Sequence, residues 1–241
     1  MQASQEPRKA GEWWRDRTLL RDVLVWDVDS WAFALRAWEP FTQDIRGARV
    51  LDVGARDGGL SLYFALRGCE VICSDLHGPA DTAAELHRRY GVAERVRYAE
   101  IDATRIDLAD NEMDIVTFKS VLGGVGRDDH YEKQRAAVRE MHRVLRPGGM
   151  LLFAENMRGT ALHTLLRRLF VSWGGQWRYL SVPEVREALG IFRRTSLSYA
   201  GVLATFGRTE RQRSLLHGID VLLHPLLPNR WKYIVAGCAI K

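Results

Sequence analysis

Acidic side chains recur in this chain at the ends of short apolar segments that are rich in β-branched residues. Asp52 lies in such a segment at 49–53, Asp75 ends the next one, and Asp102 ends a third. Asp75 follows Gly54 by about twenty residues, the spacing at which an acid after a second strand reaches a ribose hydroxyl. A carboxylate suits that task because it accepts hydrogen bonds from both hydroxyls of a vicinal diol. The spacing predicts a nucleoside site, with a helix N-cap or a solvated turn as the alternative for each acid.

Two later apolar segments also end in polar side chains. Lys119 and Ser120 close the fourth segment, and Glu155 and Asn156 close the fifth. Ligands of open α/β sheets bind beyond the carboxyl ends of the strands, where the strand order reverses. We therefore expect the polar residues of all five segments to lie at one edge of a sheet.

The elements that must position these residues alternate between strands and helices. Helical spacing of apolar residues predicts helices at 60–68, 81–91 and 130–145, and a short helix at 181–190 with Ser181 as its N-cap. The predicted strands are at 49–53, 70–75, 95–102, 113–120, 150–156, 191–201 and 230–241. A Leu-rich insertion, 210–229, separates the last two strands. This alternation favours an α/β fold with a parallel sheet covered on both faces.

Composition and charge limit the possible settings and partners. The 241 residues are 46% hydrophobic, without a secretory signal or an apolar run long enough for a transmembrane segment. Three cysteines are too few for a zinc site or a disulfide framework, so we expect no metal and a cytoplasmic protein. Residues 157–241 hold 13 Arg and Lys against 4 Asp and Glu. That excess indicates an anionic small molecule, an anionic membrane surface or RNA as partner, or else a solvated basic surface.

The segment VLDVGARDGG, residues 50–59, has the form of a nucleotide-cofactor loop that lacks one glycine. The dinucleotide pattern G-x-G-x-x-G would use Gly54, position 56 and Gly59. An acid followed by G-x-G-x-G would use Asp52, Gly54, position 56 and Gly58. Both patterns fail only at position 56, which is an arginine, so the loop by itself leaves both cofactor classes open.

Four motifs in a fixed order distinguish these classes. VLDVGARDGG, VICSDL, AEIDA and MHRVLRPGGMLLFAEN together resemble the class I S-adenosylmethionine-dependent methyltransferases over residues 49–156. The most specific element is HRVLRPGG before the fifth strand. The resemblance implies a Rossmann-like, mostly parallel sheet of seven strands with an antiparallel last strand, and S-adenosylmethionine as the cofactor.

The resemblance also implies roles for residues at the ends of the first and fourth strands. Gly54 and Gly58 would form the loop under the methionine part of the cofactor. Asp52 would hold that loop or the cofactor's amino group. Lys119 and Ser120 would line the cofactor and substrate pocket.

The adenosine part would lie against residues that follow the second and third strands. By the same resemblance, Asp75 would bind the ribose and Leu76 would lie against the adenine. Asp102 would accept from the adenine amino group, next to the backbone N–H of Ala103.

Arg56 is the departure from the family pattern. A middle glycine lets the backbone approach the ligand and adopt a positive φ. We expect Arg56 to have an ordinary φ, with its side chain pointing away or lying across the cofactor mouth. The alternative is a degenerate fold that has lost its cofactor and acts as a binding protein.

Catalytic groups are sought after the fourth strand, where Asp128, Asp129, His130 and Tyr131 are clustered. Methyl transfer needs alignment of nucleophile, methyl carbon and sulfur, and a hydroxyl nucleophile also needs a general base. His130 is the candidate base, and Asp129 and Tyr131 are candidate substrate contacts. The alternative is that these residues form the N-cap and first turn of the following helix.

Substrate recognition is expected outside the cofactor core. We expect one domain over 1–241, with an N-terminal helical lid at 1–46, the cofactor core at 47–156 and substrate-side elements at 157–241. Trp31 is the candidate lid residue, with core packing as the alternative. The basic amphipathic stretch 160–170 and the aromatics near it fit a membrane surface or a lipid-linked acceptor, or else a helix packed on the sheet.

These observations predict a methyltransferase that acts on a small or lipid-linked metabolite, with oxygen as the expected acceptor atom. The substrate is expected to be neutral or anionic, with peripheral contact at the inner membrane face as an option. An RNA methyltransferase is the alternative within the class, although nucleic acid is disfavoured because no RNA-binding motif or appended domain is present. A dehydrogenase would leave the motifs of the third to fifth strands unexplained.

Overall fold

A seven-stranded sheet forms the centre of the computed structural model, which describes residues 16–170 and 176–241. The strands are β1 Arg49–Val53, β2 Glu70–Asp75, β3 Val96–Glu100, β4 Met113–Lys119, β5 Leu145–Asn156, β6 Arg194–Ala200 and β7 Ile234–Ile240. Their order in the sheet is β3-β2-β1-β4-β5-β7-β6. Strands β1 to β5 are parallel, and β7 runs antiparallel to both β5 and β6. The predicted Rossmann-like sheet with an antiparallel last strand is confirmed.

Helices cover both faces of the sheet. They are α1 Arg17–Leu24, α2 Val28–Trp38, α3 Gly59–Ala65, α4 Asp81–Arg89, α5 Leu122–Val125, α6 Tyr131–Val144, α7 Ala161–Phe170, α8 Val182–Ala188 and α9 Glu210–Leu223. On one face, α1 to α3 bury Trp31, Trp38 and Leu62 against the sheet. On the other face, α6 and α8 bury Met141 and Val185. None of the helices in the described residues is long and apolar enough to cross a membrane.

The topological switch lies between β1 and β4. Val53 at the end of β1 pairs with Ser74 of β2 on one side and with Phe118 of β4 on the other. The chain leaves β1 for α3 and β4 for α5 on opposite sides of the sheet. The carboxyl ends of these two strands therefore border the crevice where ligands of such sheets bind.

One local prediction differs from the structure: β5 begins at Leu145, five residues earlier than predicted. The Leu-rich insertion, for which the sequence predicted no secondary structure, forms helix α9. Gly148, with φ +78°, turns within the early part of β5, and its N–H donates to the Lys241 carbonyl at 3.1 Å. That bond ties the RPGG segment to the chain's last residue, and Leu145 pairs with Met113 of β4 across an irregularity in the register. The predicted short helix is confirmed as α8, with a capping box formed by Ser181 and Glu184.

Helix α7 does not pack its leucines on the sheet, which was one of the two interpretations of residues 160–170. Its buried residues are polar, His163 and Arg167, whereas Leu162, Leu165 and Leu169 are 52%, 53% and 64% exposed. The leucine stripe therefore faces outward. The tryptophans that the sequence places before residue 16 and at position 173 lie outside the described residues.

Candidate active site

The turn after β1 has the geometry expected of a glycine loop. Gly54 and Gly58 have φ values of +68° and +77°. A Cβ on Gly54 would lie 2.5 Å from Val121 Cγ2, and one on Gly58 would lie 2.7 Å from the His87 ring. Both positions need glycine, because neither the backbone conformation nor the surrounding space accepts a side chain.

Arg56 corrects one expectation about this turn. Its φ is +49°, so the ordinary backbone angle expected for an arginine there is wrong. Two hydrogen bonds hold the turn in place: Arg56 N–H donates to Asp75 Oδ2 at 3.0 Å, and its carbonyl accepts from Ala80 N–H at 3.0 Å. A left-handed non-glycine residue costs about 1–2 kcal/mol. The loop thus keeps the backbone shape of a glycine loop while presenting an exposed arginine side chain.

Asp52 lies beneath the loop rather than at its surface. It is 1% exposed, and its carboxylate accepts from Ser61 Oγ at 2.7 Å. Burial raises its pKa to about 7, while the Ser61 bonds act in the opposite direction. Since Ser61 belongs to α3, Asp52 fastens the loop to the helix, which is one of the two roles predicted for it.

The four residues for which the resemblance implies adenosine contacts lie at the ends of β2 and β3, and those contacts stay predictions. Asp75 bonds the loop through Oδ2 and accepts from Leu76 N–H through Oδ1 at 2.8 Å. The Leu76 side chain is 50% exposed. Asp102 is exposed, and its Oδ1 accepts from both the N–H and the hydroxyl of Thr104, while Ala103 is buried. The chain therefore presents two carboxylates along one edge of the sheet.

Sequence patterns missed the residue that holds the loop from below. His87 of α4 is buried, with Nε2 2.9 Å from the Gly58 carbonyl and Nδ1 2.8 Å from the Tyr98 hydroxyl. A carbonyl only accepts, so Nε2 carries the proton and Nδ1 accepts from Tyr98. Burial lowers the pKa of His87, which favours this neutral form. A histidine within an ordinary amphipathic helix carries no sequence signal of such a role.

Lys119 and Ser120 stand at the end of β4. Ser120 has φ +57°, and its hydroxyl accepts from Asn156 Nδ2 at 2.7 Å. Glu155, also at this edge, is 1% exposed and accepts from the N–H groups of Val121 and Leu122. Burial raises the pKa of Glu155 to about 7, against the effect of these bonds. Glu155 and Asn156 thus hold the turn that follows Lys119.

The Lys119 side chain points under the N-terminal helices. Its Nζ lies 4.7 Å from the centre of the Trp31 ring and 5.4 Å from that of Trp26. Trp31 is completely buried, so this candidate lid residue also belongs to the core. We call Lys119, Trp26, Asp27 and Trp31 the Lys119 recess.

The roof of the recess is the corner that joins α1 to α2, residues 25–27. Glu210 at the start of α9 accepts from Asp27 N–H at 2.9 Å and from Val28 N–H at 3.3 Å. The buried Asp27 carboxylate accepts from the Tyr233 hydroxyl at 2.5 Å. Burial raises the pKa of Asp27 to about 6, although the Tyr233 bond opposes this shift. Residues from distant parts of the chain therefore position the corner, a role that the sequence did not reveal.

The cluster of polar residues at 128–131 forms a separate surface turn. His130 is exposed, and its ring forms no hydrogen bond within residues 16–170 and 176–241. Asp129 accepts from Arg178 Nε at 2.8 Å, and the Tyr131 hydroxyl donates to the Glu184 carbonyl at 3.1 Å. These bonds fasten the turn to α8 and to the segment that precedes it. Their roles in substrate contact and catalysis stay predictions.

Comparison with known proteins agrees with this geometry. Residues 51–153 match the methyltransferase domain family. A ubiquinone/menaquinone biosynthesis C-methyltransferase, UbiE of Azotobacter vinelandii, is 34% identical over 163 residues, which cover 63% of this chain and 60% of that protein. The chain thus spans about three fifths of the length of this curated relative.

Solved structures show the same fold. The phosphoethanolamine N-methyltransferase 2 of Haemonchus contortus, in complex with S-adenosyl-L-methionine, aligns with a TM-score of 0.61 at 19% identity. That alignment covers 88% of this chain and 52% of the other. The [4+2]-cyclase SpnF aligns with a TM-score of 0.57 at 18% identity, over 88% of this chain and 80% of its own.

The matched residues 51–153 include the loop after β1 and the ends of β2, β3 and β4, where the polar groups of the candidate site converge. The order of the strands and the antiparallel β7 agree with that match over the rest of the sheet. By its matched domain and its fold, this chain is therefore similar to the class I S-adenosylmethionine-dependent methyltransferases.

Proposed function

We propose that this protein transfers the methyl group of S-adenosylmethionine to a hydroxylated small molecule that is carried on a lipid or is itself apolar. The observation that carries this proposal is the left-handed turn from Gly54 to Gly58, bonded to the Asp75 carboxylate at the switch between β1 and β4. Such a turn brings the backbone close to a ligand. Asp75 follows it at the sequence spacing that places an acid beside the ribose hydroxyls.

The residues at the turn fit S-adenosylmethionine. Gly54 and Gly58 have positive φ values, and the Val121 and His87 side chains fill the space where a Cβ would stand, so only glycine keeps this compact turn whose backbone faces a ligand. The two carboxylates, Asp75 and Asp102, stand at successive strand ends to accept from the ribose and from the adenine amino group. Arg56 supports rather than opposes this fit, since its backbone already has the conformation of the missing glycine.

The cofactor supplies an electrophilic methyl group on a sulfonium when it is bound. The chain's part is to align the acceptor with that methyl group and to exclude water. The N-terminal lid proposed for residues 1–46 includes the α1–α2 corner, which covers the end of β4 and closes the Lys119 recess. We infer that the acceptor enters beneath this corner.

The relatives favour a hydroxylated ring and a carbon acceptor atom. UbiE is named as a C-methyltransferase of ubiquinone and menaquinone biosynthesis. Methylation at carbon beside a ring hydroxyl and methylation at the hydroxyl oxygen both begin with loss of the hydroxyl proton. We therefore propose carbon methylation in place of the O-methylation expected from the sequence, and product analysis distinguishes the two.

Exposed leucines on two helices support an acceptor that resides in a membrane. The stripe of α7 is Leu162, Leu165 and Leu169. A second stripe at helical spacing runs along α9 and the turn after it, formed by Leu215, Ile219, Leu222 and Leu226, which are 40–79% exposed. Outward leucines on a helix that buries its polar residues fit a helix lying in a membrane interface.

Both stripes flank one turn. His163 of α7 lies 2.8 Å from the Val202 carbonyl through Nε2, and the Asp220 carboxylate of α9 accepts from the N–H groups of Val202 and Ala204. Exposed arginines accompany the stripes at positions 168, 208, 211 and 230. We propose that this face rests on an anionic bilayer, to which arginines add electrostatic attraction.

Cofactor binding is tested by calorimetric titration with S-adenosylmethionine and S-adenosylhomocysteine. We expect saturable binding that Asp75→Ala weakens about 10- to 100-fold, because a carboxylate bonded to the ribose is lost. Asp107→Ala, an exposed acid outside the site, is the matched control. Absence of binding to the wild type would favour the binding-protein alternative.

The membrane part is tested separately by flotation with phosphatidylglycerol vesicles. The double variant Leu165→Ser and Leu169→Ser should float about tenfold less than the wild type. Ile191→Ser removes an apolar side chain that is 44% exposed elsewhere and should float like the wild type. Equal flotation of all three proteins would reject the α7 face as the contact.

A further inference from the structure

Lys119 carries an amino group whose surroundings offer it neither a hydrogen bond nor an ion pair among the described residues. Its side chain is half-buried, yet Nζ forms no hydrogen bond and no ion pair within the described residues. The nearest groups are the faces of Trp31 and Trp26. The attraction of ring faces for a cation is weaker than the cost of removing an unpaired ammonium from water.

Two further polar atoms in the same recess lack partners. Trp31 Nε1 and Asp27 Oδ1 are buried, and neither has a hydrogen-bond partner in the part of the chain described. The two residues lie one helical turn apart, since Trp31 N–H donates to the Asp27 carbonyl at 3.0 Å. Buried polar groups in native proteins are nearly always paired. These two atoms and Lys119 Nζ make three polar groups without a partner among the described residues, which points to a polar ligand that completes them.

The charges around Lys119 come from three elements. Arg56 of the glycine loop repels the ammonium, whereas Asp27 of the corner and Glu155 of β5 stabilise it. Burial is the largest influence and lowers the pKa of Lys119 to about 8, with Arg56 lowering it further. An arginine would remain charged in such a place, whereas a lysine with this environment exchanges a proton near neutral pH.

The roof over Lys119 is a strained segment. Val25 has φ +70° and ψ −55°, and Trp26 N–H donates to the Leu24 carbonyl at 2.9 Å, which defines a γ-turn of the rare positive-φ type. Asp27 also has a positive φ, +47°. Strain of about 1–3 kcal/mol at such residues concentrates at ligand clamps and switch regions. Movement of this corner would open the buried Nε1 and Nζ to an acceptor.

We propose that Lys119 accepts the proton of the acceptor's hydroxyl and that Trp31 Nε1–H donates a hydrogen bond to the resulting oxyanion. This inference rests on the proposed methyl transfer. The ligand class is a phenol or enol, because its ionised oxygen forms an ion pair with an ammonium and accepts a hydrogen bond from an N–H group. The recess thereby supplies the general base that methylation beside or at a hydroxyl requires.

In the first step the acceptor's O–H bond breaks, its proton forms an N–H bond on Lys119 Nζ, and the electron pair stays on oxygen. The neighbouring ring carbon then forms a bond to the methyl carbon while the C–S bond breaks, leaving its pair on sulfur. That carbon releases its own proton to water, the oxygen regains a proton from Nζ, and Lys119 returns neutral.

A coloured phenol tests this site without turnover. 4-Nitrophenol absorbs visible light only when ionised, and it is added to the protein saturated with S-adenosylhomocysteine at a pH about one unit below its own pKa. We expect the bound phenol to be ionised in the wild type. Lys119→Met should weaken its binding at least about tenfold and abolish the absorption, because the ammonium that pairs with the phenolate is gone.

Matched variants separate the roles of the recess. Lys133→Met removes an exposed lysine of α6 and should behave as the wild type. Trp31→Phe keeps an aromatic ring but removes the N–H, and should weaken phenolate binding about tenfold without changing binding of S-adenosylhomocysteine. The ionisation of 4-nitrophenol bound to the wild type tests the proposal even if one variant fails to fold.

Two outcomes would overturn the proposal. One is that 4-nitrophenol fails to bind to the wild type, or binds in its neutral form without visible absorption. The other is a Lys119→Met protein that loses affinity for S-adenosylhomocysteine but keeps it for 5′-methylthioadenosine, which would assign Lys119 to the cofactor's carboxylate. If the wild type does not bind S-adenosylhomocysteine, the proposed function fails, and the same phenol titration on the protein alone still decides the role of Lys119.

Discussion

The Lys119 recess and the 128–131 turn both follow β4, but their polar groups stand in opposite surroundings. In the turn, Asp129 and His130 are exposed, and water is available to every polar atom that the protein does not bind. In the recess, Trp31 is completely buried, and Lys119 lies against its ring with no hydrogen-bond acceptor among residues 16–170 and 176–241. Burial shifts the pKa of a titratable group because it disfavours the charged form. A cluster of polar residues in the sequence is therefore weaker evidence of a site than one buried group without a partner.

The largest expected effect is a difference in kcat/KM between a variant of the Lys119 recess and a variant of the 128–131 turn. With an acceptor identified by screening phenolic and lipid-linked compounds, Lys119→Met should lower kcat/KM about 10²- to 10⁴-fold, the usual contribution of a general base. His130→Gln should change kcat/KM less than about threefold, since its ring is solvated and unoriented. Steady-state measurements on both variants test this. A larger loss for His130→Gln would reverse the comparison and restore His130 as the base.

The pH profile gives a second, smaller distinction. A base must be deprotonated to act, so wild-type kcat/KM should rise with pH through about 8, the pKa to which burial and Arg56 lower Lys119. Lys119→Arg, which stays protonated, should lose this limb and retain phenolate binding at high pH. Rates at constant ionic strength are the measurement. A limb near the ordinary pKa of histidine would indicate the surface turn instead.

The free energy of unfolding should also distinguish the two regions, but here the Lys119 variant should gain stability where it loses activity. The folded pKa of Lys119, about 8, lies below its usual 10.5. The unfolded chain therefore binds more protons between these pH values, and the free energy of unfolding rises with pH across that window. Lys119→Met should be about 1–3 kcal/mol more stable at pH 7 and lack the rise.

Urea denaturation at pH 7 and above pH 9 measures this difference, with His130→Gln expected within about 0.5 kcal/mol of the wild type. A destabilised Lys119→Met protein that is otherwise folded would indicate that the ammonium has a stabilising partner.

The smallest effect concerns Arg56, which faces the recess from the glycine loop. Arg56→Gly should stabilise the fold by about 1 kcal/mol, because the left-handed backbone at +49° suits glycine. It should also raise the midpoint of the pH profile, since a positive charge near Lys119 is removed. Thermal unfolding and the pH profile measure both. Loss of S-adenosylhomocysteine binding in this variant would show that the arginine side chain contacts the cofactor.

Local patterns were sufficient for most of the sheet and for the loop. The strands β1 and β2 and the helix α8 with its Ser181 cap appear where periodicity and capping rules put them. The early start of β5 was not predictable, because it depends on the pairing of Leu145 with Met113 of β4 across an irregularity in the register. The conformation of Arg56 was predicted wrongly for a similar reason: bonds from Asp75 and Ala80 impose it.

The sequence by itself determined the alternation of strands and helices, the glycine loop and the acids at the strand ends, because these depend on short-range spacing. Only the tertiary structure placed Lys119 beneath Trp31 and turned the leucines of α7 outward. Burial and partnering depend on which distant segments meet. Glu210 and Tyr233, far along the chain, fix the corner that closes over Lys119, and no local pattern encodes that meeting.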